Sequence, residues 1–151
     1  MNHFFKFLEV SLLWLGIALF VFFYPMLISF YVFFPLLIGL MSYLLIEGIE
    51  KEKLSYILVA VVYLLNLEVN LSLPLLLAFI SALLFYLLFY PALSQFKRCY
   101  MCKSLLSVLI LDLMYFAWLV LYGFIFETQS ITLDSILMYS LLVDMLVVTL
   151  L

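Results

Sequence analysis

The sequence predicts an all-α integral membrane protein, a polytopic bundle of about six transmembrane helices with both termini cytoplasmic, and three observations lead there. The first is composition. Of 151 residues, 71% are hydrophobic and 10% charged, with mean hydropathy +1.42, where a soluble domain is about half apolar and about a quarter charged. The second is continuity: outside three short charged patches, almost every window of about 20 residues is apolar enough to cross hydrocarbon, so a single anchor does not explain the average. The third is that every Lys and Arg falls at one end of the bundle once the spans are drawn.

The elements follow in order, as one transmembrane domain over 1–151. From Val10 to Ile46 no residue is charged, too long a run for one span, and Tyr24-Pro25 lies near its middle. Proline removes a donor and disfavours helix at the preceding residue, so the first span is placed at 7–23 and the second at 26–46, joined by a tight turn at Pro25, with Pro35 kinking the second. The uncleaved first span carries Lys6 before it and no small-x-small cleavage site after it. EGIEKEK, Glu47 to Lys53, is the first aqueous loop. The third span is 54–70, with Asn66 and Glu68 near its exit, and the fourth 71–90, with Pro74 in its first turn and Pro91 ending it. Ser94 to Lys103 is the second aqueous loop. The fifth span is 104–126, ETQSITLD connects it onward, and the sixth is 134–151. No internal repeat is evident.

Topology alternates across such spans, and the cations respect it. Lys6 precedes the first, Lys51 and Lys53 separate the second from the third, and Lys97, Arg98 and Lys103 separate the fourth from the fifth, while the other three connections hold no Lys or Arg. Positive residues stay in the cytoplasm. The extracytoplasmic loops then carry only Glu68, Glu127 and Asp134.

Two residues stand out chemically. Asp112 and Asp144 lie inside the fifth and sixth spans, each roughly 10 to 12 Å from the cytoplasmic end at about 1.5 Å per residue. A carboxylate at that depth costs several kcal/mol unless it is protonated, paired or facing a polar cavity. The spans are consecutive and antiparallel, so the two acids can meet and share a proton. No span contains Lys or Arg to neutralise them. Contact with a partner's span or helix packing is the expected role, ahead of acids that are merely satisfied as neutral groups by Ser, Tyr or backbone, and of a proton relay.

Other chemistry finds little support. There is no nucleophile, base and orienter set, no Gly-rich phosphate loop and no metal cluster, so neither catalysis nor a cofactor is expected. No basic surface offers itself to nucleic acid. Cys99 and Cys102 make one Cys-x-x-Cys, half of a zinc-ribbon pattern, and are read as two reduced thiols, a weak metal candidate only. His3 is lone. Asn70-Leu71-Ser72 fits a glycosylation sequon but sits at a tight membrane-edge turn. Tyr24, Tyr31, Tyr90, Tyr100 and Tyr122 are read as the aromatic belt.

Three stretches resemble the bacterial rod shape-determining MreD family. LLWLGIALFVFFYP followed by LISFYVFFPLLIGLMSYLL is similar to that family's first span, Pro-containing turn and second span begun through an x-Pro step, here Phe34-Pro35. VVYLLNLEVNLSLPLLLAFISALLFYLL resembles its third-to-fourth hairpin, and LILDLMYFAWLVL its late span with one intramembrane Asp, which falls on Asp112. The chain departs where Ser55 to Asn70 lacks the family's glycines and Asp, and where Phe34 and Leu36 replace a polar residue beside the x-Pro step. The resemblance implies a non-enzymatic inner-membrane component of the cell-wall elongation (cell shape, peptidoglycan synthesis) machinery, a scaffold holding MreC, MreB and the peptidoglycan synthases among membrane lipids. The alternatives are a small substrate-binding or transport subunit, or a proton-conducting accessory subunit using Asp112 and Asp144. The transport reading needs polar side chains converging near the extracytoplasmic face, where the chain offers Asn66, Glu68, Asn70, Glu127, Gln129 and Asp134.

Overall fold

Proline placement decides where the helices break, though not at the proline expected. The computed structural model describes residues 2–31, 33–96, 98–127 and 131–150, without the side chains of 2–3 and 131–134. Lys97 and Gln129, and the side chains of His3 and Asp134, therefore lie outside the described residues. All regular structure in the described residues is helical: α1 Asn2–Phe30, α2 Ile38–Glu50, α3 Leu54–Asn70, α4 Leu77–Leu88, α5 Tyr90–Leu93, α6 Tyr100–Phe126 and α7 Ile131–Leu150. By length and composition, Phe4–Phe30 and Tyr100–Phe126 can cross a membrane.

The expected turn at Pro25 is absent. Pro25 lies inside α1, and the break falls instead between Tyr31 and Leu37, around Pro35. Each proline deprives the carbonyl four residues earlier of its donor, and the outcome depends on what replaces it. At Pro25 the freed Val21 carbonyl accepts the Asn66 Nδ2 of α3 at 3.1 Å, as does Phe22 O at 3.1 Å. Asn70 Nδ2 donates to Asn66 Oδ1 at 2.7 Å, which leaves the Asn66 amide nitrogen turned toward α1. The helix runs on.

At Pro35 the unwound backbone is captured by side chains from three other helices. Tyr24 OH donates to Pro35 O at 3.0 Å, Tyr63 OH donates to Leu36 O at 2.9 Å, and Leu36 N donates to Ser140 Oγ at 3.1 Å. Non-helical backbone inside a bundle needs such partners. Tyr24 is accordingly an interior residue rather than part of an aromatic belt. Pro35 lies ahead of α2 and does not kink it.

The second hairpin is built the same way. Pro74 does not occupy a first helical turn; it lies in the break between Asn70 and Leu77, and Leu76 before α4 is left-handed at φ 69, as Leu37 before α2 is at φ 55. The matching sequences are PLLIGLMS (35–42) and PLLLAFIS (74–81). This is an internal repeat, and the expectation of none is corrected. Pro91, expected to end the fourth span, sits in the first turn of α5 after α4 has ended at Leu88; its missing N–H is one that a first turn leaves unpaired anyway.

Helix α2 is central, packed against α3, α4, α6 and α7, while α1 leans on α3 rather than pairing with α2 as a hairpin, and α6 packs on α7. Side-chain polarity is distributed inside out. Only 17% of the α1 span is buried, and Phe7, Leu12, Phe22 and Phe30 point outward, whereas Ser42, Glu68, Ser81, Asp112, Ser140 and Asp144 are buried.

Candidate functional site

The non-helical backbone at 33–37 creates the centre of the candidate site. Helix α2 begins without a capping side chain of its own, and the first backbone N–H groups of any helix lack intrahelical partners. Asp144 supplies the cap from α7. Its Oδ2 accepts from Gly39 N at 3.1 Å and Leu40 N at 3.4 Å, the second and third residues of α2, which are the donors an N-cap carboxylate ordinarily serves. Ser140 stands one turn earlier on the same face of α7 and takes Leu36 N, so a Ser and an Asp four residues apart hold the whole start of α2.

Asp112 of α6 completes the centre. A Cβ built on Gly39 would stand 2.5 Å from the carboxyl carbon and from both oxygens of Asp112. Only glycine admits that approach. Asp112 and Asp144 both meet α2 at Gly39, both are buried, and Asp112 Oδ2 and Asp144 Oδ1 have no hydrogen-bond donor among the described residues. What the carboxyls meet in this chain is α2, both of them at Gly39.

A third carboxyl is interior as well. Glu68, expected in an extracytoplasmic loop, is buried in α3, and accepts Leu76 N and Ala78 N at 2.8 Å each through its two oxygens. It caps α4 as Asp144 caps α2. The signal for it was the repeat itself: two Pro-Leu-Leu steps, each opening a helix with no Ser, Thr, Asp or Asn at its own N-cap, require a capping group from elsewhere. Asn66 and Asn70 likewise turn into the bundle.

Behind the carboxyl pair lies a cleft of about 340 Å³. Leu40, Leu44 and Val148 form its apolar side, and Tyr43, Glu47, Lys51, Tyr100 and Ser104 its polar one. Tyr100 OH donates to Glu47 Oε1 at 2.9 Å, Tyr43 and Ser104 share a hydrogen bond at 2.9 Å, and Lys51 pairs with Glu47. Partial burial pushes the Glu47 carboxyl up, but the hydrogen bonds from Lys51 and Tyr100 more than offset it and hold it below the ordinary carboxylate value. The same bond to Glu47 raises Lys51.

No family model, curated protein or solved structure matches the chain. Among the described residues no group of His, Cys, Asp and Glu could hold a metal. Cys99 and Cys102, expected as reduced thiols, are joined as a disulfide at the exposed start of α6, which leaves neither thiolate to ligate a metal.

Proposed function

We propose that the chain is a multi-pass protein of the bacterial inner membrane, both termini cytoplasmic, that catalyses no reaction and works as a scaffold, holding partner membrane proteins in the manner of the MreD family it resembles. The observation that carries this reading is the use made of the buried polar groups. Asp144, Glu68, Asn66, Tyr24 and Tyr63 are spent inside the chain, capping or catching broken helices, while the outer faces of α1 and α6 are apolar and available to lipid or to other helices. Such an object offers surfaces rather than a reaction centre. In lipid, helices associate through close packing and polar contacts worth about 1 to 2 kcal/mol or less each, so a rigid bundle with shaped apolar faces suits the task.

A second reading, a substrate-binding or transport subunit, draws support from the breaks before α2 and α4, since transporters use the N-termini of broken helices to face anionic substrate groups, although here Asp144 and Glu68 of the chain itself take those positions. It is favoured less because Asn66, Glu68 and Asn70, three of the side chains it would need around an extracytoplasmic cavity, are turned to backbone. The cleft lies at the lysine-bearing end instead.

Mild-detergent purification of the tagged chain from its native cells, with mass spectrometry of bound proteins, separates the two. Recovery of an MreC-like scaffold, a penicillin-binding transpeptidase or a RodA-type polymerase is expected. Recovery of transport ATPases without elongation proteins would replace this reading with the second.

A further inference from the structure

Among the described residues, the hydrogen bonds made to Asp112 and Asp144 leave one buried oxygen of each without a donor. Both N–H groups that reach the pair, from Gly39 and Leu40, go to Asp144 Oδ2. Asp112 Oδ2 and Asp144 Oδ1 remain buried without a donor. Of the polar groups on the surrounding helices, Tyr24 of α1 and Tyr63 of α3 donate to Pro35 O and Leu36 O, Ser140 of α7 takes Leu36 N, and the buried hydroxyls of Ser42 on α2 and Tyr115 on α6 bond to neither acid. Helices α2 and α6 turn no Lys or Arg toward the pair among the described residues; Lys51 and Lys103 stand at the mouth of the clefts. An ionised carboxylate only accepts, so two ionised acids would leave both orphan oxygens facing like charge in an apolar interior.

We infer that Asp112 and Asp144 form a single-proton binding site, one proton shared between their carboxyls beneath the N-terminus of α2. The proton converts two orphan acceptors into one O–H···O bond. The charge also balances: a pair with one proton carries one negative charge, and a helix N-terminus presents about half a positive charge plus free N–H groups to it. Gly39 is what allows the second acid to come close enough to share. Leu40 donates to Asp144 through its N–H while its side chain lines the cleft, so the site lies one residue behind the cleft wall. The site stands whether or not the protein is a scaffold, because it rests on the interior of one chain.

The test is infrared spectroscopy of the full chain in lipid nanodiscs, with carboxyl-13C aspartate labelling only Asp112, Asp134 and Asp144. Glu68 and the other glutamates are then silent. At neutral pH one protonated-carboxyl band is expected, lost in Asp112→Asn and in Asp144→Asn and kept in Asp134→Asn, with replacement of potassium by sodium leaving it unchanged. A band that survives in both Asn variants, no band at neutral pH in the wild-type chain, or a band abolished by sodium would each overturn the proposal, the last in favour of a metal cation. The wild-type and Asp134→Asn spectra need neither variant of the pair to fold, so the two together decide at neutral pH whether the pair holds a proton.

Discussion

At the scale of the residue, glycines separate cleanly by what surrounds them. Gly39 has the Asp112 carboxyl where a Cβ would go, and Gly16 has nothing within 4 Å. Gly39→Ala is expected to lower stability by about 1 to 3 kcal/mol, the ordinary cost of forcing atoms into a filled interior. Gly16→Ala should leave it unchanged or raise it by about 0.5 to 1 kcal/mol, since alanine is the better helix former. Thermal unfolding of the two variants in the same detergent checks both; equal midpoints would mean that Asp112 does not sit against α2. Glu47 supplies a pH dependence of known sign. Its carboxyl is held below the ordinary value, so the stabilisation it gives is present above about pH 4.5 and is lost as pH falls through its lower folded value. The difference in midpoint between the wild-type chain and Glu47→Gln should be small but positive at neutral pH and vanish on acidification.

At the scale of the element, α1 passes a proline because α3 replaces the missing donor. A proline in a helix interior costs about 3 kcal/mol when nothing compensates, and a hydrogen bond contributes about 1 kcal/mol net. The two residues are therefore coupled. Asn66→Ala should destabilise the chain by about 1 kcal/mol, and should cost much less in a Pro25→Ala background, where residue 25 again donates to Val21 O. A double-mutant cycle on thermal stability reads this directly, and an interaction energy of zero would show that Asn66 has some other task. The placement of the first break was not readable along the chain, since Tyr24-Pro25 and Phe34-Pro35 look alike locally. What distinguishes them is a partner from a distant helix, Asn66 for one and Tyr24, Tyr63 and Ser140 for the other. Span 54–70, by contrast, has no proline and clear polar ends, and α3 occupies that stretch.

At the scale of the whole molecule, the proposed orientation rests on the positions of the cations in the sequence and is open to a direct test. With Cys99 and Cys102 replaced by Ser, single cysteines at Glu52 and Glu127 report it. A membrane-impermeant maleimide applied to intact cells is expected to label the Glu127→Cys chain and spare the Glu52→Cys chain. The opposite pattern would invert the bundle and move the cleft to the outer face.

That the chain is helical and apolar, where its cations gather, and that Asp112 and Asp144 need partners could be read along the chain, because those follow from composition and from the cost of burying charge. The sequence also contained the repeated Pro-Leu-Leu step, which becomes meaningful only when both copies are seen to open a helix lacking its own cap. Which proline breaks a helix, that Glu68 faces inward and that Gly39 meets both acids emerge from the packing of the helices. The physical reason is the same in each case. Backbone groups freed by a proline or left over at a helix start must find partners, and in this chain those partners lie on other helices, from Asn66 against Val21 to Asp144 against Gly39, at separations that no local pattern can express.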